Sequence, residues 1–442
     1  MKTIINRARA ALLKYDIRAL AVIADKLKTL GRDIWAWENI GDPIKQGHQA
    51  PDWIKQALIN VVKKNSNWGY SPTEGLDEAR EFIAATERQQ GIRLAKQDIV
   101  FTSGLGHGIN TLYQSLLNGG GRAIHPSPAY PAHSSSESFF AGAAPIFYAC
   151  RATNNWQPNL NDLEEKIKKH PEIRFILTIF PNNPTSVCYS DEILKGIAAL
   201  ARRYDLGVIS DETYIRLLYK NQTQTGLAKI MSAGQPFPLI VMKSTSKDIP
   251  WPGGRSGWLE FYNLGQDKNF AELEETIKQN LRVQVGSTTM VQAALPAIYG
   301  DPRYQTYLAG FIAKLEKQSR YISALLNTVK GIYCVPGQGA FYLAAVFKDG
   351  VLRPGQSLPI TNAKAKEYIE SLTADPNLPL DKRFAFYLMA AKGIILTPLS
   401  SFEGPPGFRV TTLKTDLKET KKVYAEIKSA IEQYLASSIH KI

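Results

Sequence analysis

An α/β fold, with a largely parallel sheet covered by helices, is predicted by two features of the 442-residue sequence. Short apolar runs of β type alternate with helical patterns. Polar residues gather just past the carboxyl ends of those runs, where open parallel sheets bind ligands. Beyond about residue 300 the texture changes to long helical stretches and hairpin-like segments. The chain therefore divides into a large unit, residues 46–300, and a smaller α+β unit built from residues 1–45 and 301–442.

Taken in order, Met1 to Asp16 is basic and partly apolar, but Arg7, Arg9, Lys14, Asp16 and Arg18 interrupt it too often for a signal peptide. It reads as an amphipathic helix. Ile99-Val100-Phe101 is a strand that ends at Thr102-Ser103-Gly104, and Ile109, Leu112, Leu116 and Leu117 then share one helical face. Arg174 to Phe180 is a strand closed by Pro181-Asn182-Asn183-Pro184. Ser190 caps the next helix, with Asp191 and Glu192 in its first turn and Arg202 and Arg203 in its last, complementing the helix dipole. Leu206 to Ile209 is a buried strand ending at Ser210-Asp211-Glu212, and Leu239 to Met242 is another, ending at Lys243-Ser244-Thr245-Ser246-Lys247. Tyr304 to Leu326 is a long helix, followed by hairpin-like segments around Gly337 and Gly350. A final amphipathic helix is capped by Thr415, with Asp416 in its first turn. The Pro/Gly/Asp-rich stretch 345–390 carries no assignable pattern.

Composition narrows the function classes. With 44% hydrophobic and 21% charged residues the chain is not of the disordered type. No run of 18 apolar residues marks a spanning helix. Lys and Arg outnumber Asp and Glu by 53 to 40, a net +13, yet no run of five basic residues occurs. A cationic enzyme surface is the expectation, with no nucleic-acid or membrane partner. Cys150, Cys188 and Cys334 form neither a disulfide framework nor a metal-ligand spacing, and the six histidines do not cluster. No metal site is expected, and the cytoplasm is the expected location.

Chemistry concentrates at four strand ends. Lys247 follows a buried strand between hydroxyls, and a partly buried amine can attack carbonyls. Arg255, inside Pro252-Gly253-Gly254-Arg255-Ser256-Gly257, can fold back on tight turns to the same pocket, where an arginine and serine hydroxyls suit a phosphate. A surface loop with a solvated Lys and Arg explains that segment equally well. Ser103-Gly104-Leu105-Gly106-His107-Gly108 opens a helix whose free N–H groups form an anion site. Its spacing is G-x-G-x-G, and no acidic residue follows at the distance a dinucleotide site requires. Asp211, at a strand end in an apolar sheet, needs a cationic or hydrogen-bonding partner, whether a ligand or backbone amides. Asn183 and Tyr214 supply donors near it, and Tyr130 offers a ring that stacks on a heterocycle.

These residues resemble the fold-type I pyridoxal-phosphate enzymes, and among them the class I/II aminotransferases. The pattern S-x-S-K-x-x-x-x-P-G-x-R-x-G is matched from Ser244 to Gly257, and D-E-x-Y by Asp211 to Tyr214. The motif N-N-P-T-G stands as Asn182-Asn183-Pro184-Thr185-Ser186, with Ser in place of the final Gly. The matches run in order from about Ile40 to Arg409. The resemblance implies an aspartate aminotransferase-like fold, with a mainly parallel seven-stranded sheet and a smaller α+β domain. It implies that pyridoxal 5′-phosphate is the cofactor, held by Lys247 as a Schiff base. Asp211 then keeps the pyridine nitrogen protonated, Asn183 and Tyr214 bond the ring oxygen, and Tyr130 stacks on the ring. Ser244, Ser246, Arg255 and the amides of Leu105 and Gly106 bind the phosphate. Tyr70 matches a tyrosine that reaches the neighbouring subunit's phosphate, which implies a homodimer with shared active sites. Arg409 matches the clamp for the substrate carboxylate, and Gly41 the segment that closes over it.

The activity so implied is transfer of an amino group between an L-amino acid and a 2-oxo acid by a ping-pong mechanism. A lyase or decarboxylase, such as a C–S β-lyase, is the alternative on the same cradle. A transcription regulator of this fold lacks support, because only about 40 residues precede Ile40 and they hold no DNA-reading helix pair. Trp35 and Trp37 either line the side-chain pocket or pack in the core. Gly286 to Thr289 is expected to enter from the partner subunit, and Arg282 is a candidate contact for a dicarboxylate.

Overall fold

The computed structural model describes residues 6–13, 16–232 and 234–437. Its main sheet has seven strands: β2 (Ile99–Thr102), β3 (Arg122–Ser127), β4 (Ile146–Ala149), β5 (Ile173–Ile179), β6 (Gly207–Asp211), β7 (Leu239–Ser244) and β8 (Gly257–Tyr262), following a two-residue β1 (Ala36–Trp37). They lie in the order β2-β8-β7-β6-β5-β3-β4. Only β8 runs against its neighbours, so the sheet is mainly parallel.

A parallel sheet covered on both faces needs strands that are apolar on both sides. Ile99, Phe101, Val208, Val241 and Trp258 pack into one core, while Val100, Ile209, Ile240, Met242, Leu259 and Phe261 pack into another on the opposite face. This explains why the runs read as continuous apolar segments. Sequence patterning does not reveal β3, β4 and β8. β3 contains His125 and Pro126, and β8 carries Glu260 in its middle, so neither presents an unbroken apolar run.

Beyond residue 300 a second, antiparallel sheet forms from β9 (Ile332–Cys334), β10 (Tyr342–Phe347), β12 (Thr397–Pro398) and β13 (Gly407–Thr411), in the order β12-β13-β10-β9. Between them β11 (Ile394–Ile395) pairs with β1. Leu343, Ala345, Phe347, Phe408 and Val410 point into a core shared with the helices Asp16–Thr29, Arg303–Leu326, Leu380–Lys392 and Leu417–Ala436. Alternation along β13 therefore turns Arg409 to the other face.

Several expectations need correction. Among the described residues, the N-terminal stretch forms a single turn, Arg7–Ala10, with no buried residue, and the longer helix starts at Asp16. Gly337 lies within the β9–β10 hairpin, but Gly350 follows β10 and leads to a helix, not a strand. The stretch 345–390 contains the helices Ala363–Thr373 and Leu380–Lys392. The last helix is capped by Asp416, whose carboxylate accepts from the Lys418 amide at 2.8 Å, not by Thr415. Ser190 caps its helix as expected.

The ends of β6 and β7 rest on a buried charge cluster. Lys243 Nζ donates to Glu87 at 2.7 Å and to Glu260 at 3.1 Å. Beside them Glu212 accepts from Ser210 Oγ and from the Leu227 amide, both at 3.0 Å. Burial, only partly offset by Lys243, pushes the Glu212 carboxyl up from 4.5 to about 7. The native chain thus holds a proton that the unfolded chain releases. The stability this gives is fully present below about pH 4.5 and lost as pH rises through about 7. Glu212→Gln is expected to flatten that decline, read as the urea midpoint between pH 5 and 8. An unchanged slope would place the titration elsewhere.

Candidate active site

Strand register assembles the site. Ile179 pairs with Asp211, Asp211 with Met242, and Ser244 with Gly257, so the carboxyl ends of β5, β6 and β7 form one edge. Asn183, Asp211 and Lys247 leave that edge within a few residues of one another in the sheet.

Asp211 is 5% exposed, and an acceptor-only group so buried requires donors. Thr213 gives two to Oδ1, its amide at 3.0 Å and its hydroxyl at 2.6 Å. On the other oxygen, His133 Nε2 lies at 3.2 Å, and the Tyr113 hydroxyl faces His133 Nδ1 at 3.1 Å. His133 and Tyr113 went unnoticed in the sequence. The available signal was the Tyr130-x-x-His133 spacing, which sets both residues on one side of the Pro131–Ala141 helix start.

A second group of donors lies at the start of the Leu105–Asn118 helix. The amides of Leu105 and Gly106 find no acceptor among the described residues, as expected for a first helical turn. Gly104 precedes them at φ +78°, and a Cβ on it would stand 2.5 Å from Arg255 Nη2. The guanidinium therefore sits directly against this turn. Arg255 itself holds the left-handed conformation, φ +50°, that folds it back from β8. Ser244 Oγ accepts from the Ser246 amide at 3.4 Å on the adjoining loop. Free amides, a guanidinium and hydroxyls form a donor set suited to a phosphate.

Lys247 Nζ stands 5.6 Å from the Phe341 ring centre and 5.9 Å from that of Tyr214. Among the described residues no carboxylate pairs with it. Burial, and next the neighbouring Tyr342 hydroxyl, push the Tyr214 phenol well above its ordinary range, so it remains a donor. Tyr130 lies close enough to act in the same direction.

Arg409 is 2% exposed and reaches this cleft from β13. One Nη donates to Asn183 Oδ1 at 3.1 Å and the other to the Asn39 carbonyl at 2.7 Å, whereas Nε has no acceptor. Its guanidinium lies 4.1 Å from the Tyr342 ring centre and 4.9 Å from that of Phe402. A buried cation with an unused N–H fits a bound carboxylate. Gly41 abuts this group so closely that a Cβ would fall 1.7 Å from the Tyr342 hydroxyl oxygen. Tyr342, Phe341, Phe402 and Asn39 are further lining residues that sequence reasoning missed.

Other candidates lie apart. Tyr70 is 90% exposed, next to the segment that contains Gly286 to Thr289, where Thr289 donates to the Gly69 carbonyl at 2.9 Å. Arg282 is tied to Glu275 and Glu74. Trp35 is exposed and donates to the Lys392 carbonyl, whereas Trp37 packs on the second core.

Comparison with known proteins gives the family. Residues 39–427 match the family model "Aminotransferase class I and II". An uncharacterized aminotransferase of Methanocaldococcus jannaschii is 38% identical over 425 residues, 96% of this chain and 97% of that protein. The glutamate-pyruvate aminotransferase of Escherichia coli K12 is 30% identical over 335 residues, 74% of this chain and 79% of that one. The crystal structure of an aminotransferase from Escherichia coli superposes with a TM-score of 0.83 at 25% identity, covering 100% of both chains.

The crowding at Gly104 gives a direct test of the anion cradle. Gly104→Ala strains the turn and displaces Arg255, and is expected to weaken binding of pyridoxal 5′-phosphate by about tenfold in an absorbance titration of the apoprotein. Parental affinity in that variant would place Arg255 outside the phosphate site.

Proposed function

Because the chain belongs to the class I and II aminotransferases, we propose that it moves an amino group between an L-amino acid and a 2-oxo acid in two half-reactions of a ping-pong cycle, with pyridoxal 5′-phosphate as cofactor. The observation that carries this reading is the meeting of Asp211 and Lys247, from the ends of β6 and β7, with Arg409, from the middle of β13 in the other sheet, around Tyr214, Tyr342 and Asn183.

When bound, the cofactor supplies an electron sink for negative charge developing at the substrate Cα. Arg255, Ser244, Ser246 and the amides of Leu105 and Gly106 hold its phosphate. Asp211 would accept from its pyridine nitrogen, Asn183 and Tyr214 would donate to its ring oxygen, and Tyr130 would stack on the ring. Lys247 anchors the group covalently. Once freed by the substrate amine, its Nζ would take the proton from the substrate Cα as a base and then, as an acid, deliver it to the cofactor carbon that receives the amino group, not back to Cα. Arg409 fixes the substrate carboxylate with N–H groups that two existing hydrogen bonds already aim, and burial strengthens that attraction.

In the same reading residues 46–300 carry the cofactor and residues 1–45 and 301–442 close over it. The exposure of the large apolar side chains Trp68, Tyr70 and Val283 supports a second copy covering them, with Tyr70 reaching the other subunit's phosphate. The cytoplasm is the proposed location. The pairs to try first are L-alanine with 2-oxoglutarate and L-glutamate with pyruvate, the latter being the chemistry named for the Escherichia coli relative.

The test is the visible spectrum of the purified protein, titrated with single amino acids and no oxo acid. A cofactor band that bleaches with one donor and returns with an oxo acid is the expected result. A band that persists while ammonia and pyruvate accumulate would assign a lyase instead. Lys247→Ala is expected to lose turnover altogether, and steady-state transamination by that variant would overturn the role given to Lys247.

A further inference from the structure

Ser186 stands where the motif N-N-P-T-G has glycine, and its backbone keeps a glycine-like conformation, φ +60°, with the side chain fully buried. The hydroxyl this position has acquired is fully used. Ser186 Oγ donates to the Tyr342 carbonyl and accepts from the Tyr342 amide at 3.1 Å. The Ser186 carbonyl also accepts from the amides of Gln338 at 2.9 Å and Gly339 at 3.2 Å. These bonds join the turn after β5, in the large sheet, to the start of β10, in the small one. On its other side β10 is held by the ladder to β13, where the Thr412 amide donates to the Phe341 carbonyl at 2.9 Å. The backbone groups of Tyr342 face the opposite way, beyond the last β9 pair, Ala345 with Cys334. The Ser186 hydroxyl supplies the partner that the missing ladder does not.

Tyr342 in turn touches each part of the proposed carboxylate site. Its ring lies under the Arg409 guanidinium, its hydroxyl occupies the space beside Gly41, and its ring meets that of Tyr214 edge-on at 6.0 Å. We propose that Ser186 is a positioning residue for substrate binding: its hydroxyl fixes Tyr342, and Tyr342 seats Arg409 and the Gly41 segment for the α-carboxylate. The inference rests on the reading of Arg409 as the carboxylate clamp.

Ser186→Gly is a favourable test, because glycine suits φ +60°; the two Tyr342 backbone groups it leaves unpaired lower the urea midpoint, and a single cooperative transition well above the assay conditions checks that the variant is folded. The probe is 2-methylalanine, an amino acid with no α-hydrogen, whose dissociation constant is read from the visible absorbance of the holoenzyme. Loss of two hydrogen bonds at a buried strand is expected to raise that constant about five- to tenfold. For a reacting substrate KM should rise by a similar factor, with kcat at saturation within about twofold. Tyr342→Phe should act alike, and the double variant should fall well short of the product of the two effects, since both work through one side chain. Effects that multiply, or parental affinity in Ser186→Gly while Arg409→Ala loses binding, would overturn the role of Ser186 alone. Parental affinity in Arg409→Ala would instead remove the clamp on which the inference rests.

Discussion

The site depends on one constraint: a carboxylate, Asp211, is buried at the end of a central strand and must be compensated there. Thr213 supplies two hydrogen bonds from the adjoining turn, and His133 a third from a different helix. That requirement ties the β6 turn to the Pro131–Ala141 helix start, and so to Tyr130, before any ligand is considered. On the reverse of the same strand end, Glu212 and Lys243 sit in a separate buried network. The strand end is therefore polar on both sides within an otherwise apolar sheet, and each polar group is satisfied by a different neighbour. Such arrangements cost stability when incomplete and specify a single geometry when complete.

Legibility in the sequence tracks the reach of the chain. The Ser244 to Gly257 segment could be read because one short loop carries its lysine, arginine and hydroxyls. Leu105 and Gly106 could be read because a strand-turn-helix boundary has a local signature. The apolar runs of β5, β6 and β7 gave the parallel sheet for the same reason. Asn39, Phe402 and Tyr342 were invisible: each joins the site through packing with residues far away in the chain, and none sits in a pattern that marks it locally, whereas His133 offered only its spacing from Tyr130. β3 and β8 failed differently. Their interior His125 and Glu260 are tolerated because tertiary neighbours surround them, a circumstance that no short window contains. Of the hairpin signals, Gly337 led to a real β9–β10 turn and Gly350 did not, since a glycine marks a change of direction without determining whether a strand or a helix comes next.

The two sheets divide the work. The large sheet brings Asp211, Asn183 and Lys247 to one edge by register alone, whereas Arg409 comes from the small sheet by the alternation of β13. Contact between the two units combines apolar packing with specific polar links, from Asn183 to Arg409 and from Ser186 to Tyr342. A buried guanidinium faced by two aromatic rings has little freedom to swing, so the pocket is shaped before a carboxylate arrives.

The fit between Gly41 and Tyr342 has an evolutionary consequence. The space beside one backbone is filled by the hydroxyl of a residue hundreds of positions later, so the first cannot gain a side chain while the second keeps its phenol in place. A side chain at 41 becomes admissible only after the phenol at 342 has been lost or turned aside. Among descendants of this chain the two positions should drift together, and a lineage that gained bulk at the first would be expected to have surrendered the tyrosine beforehand.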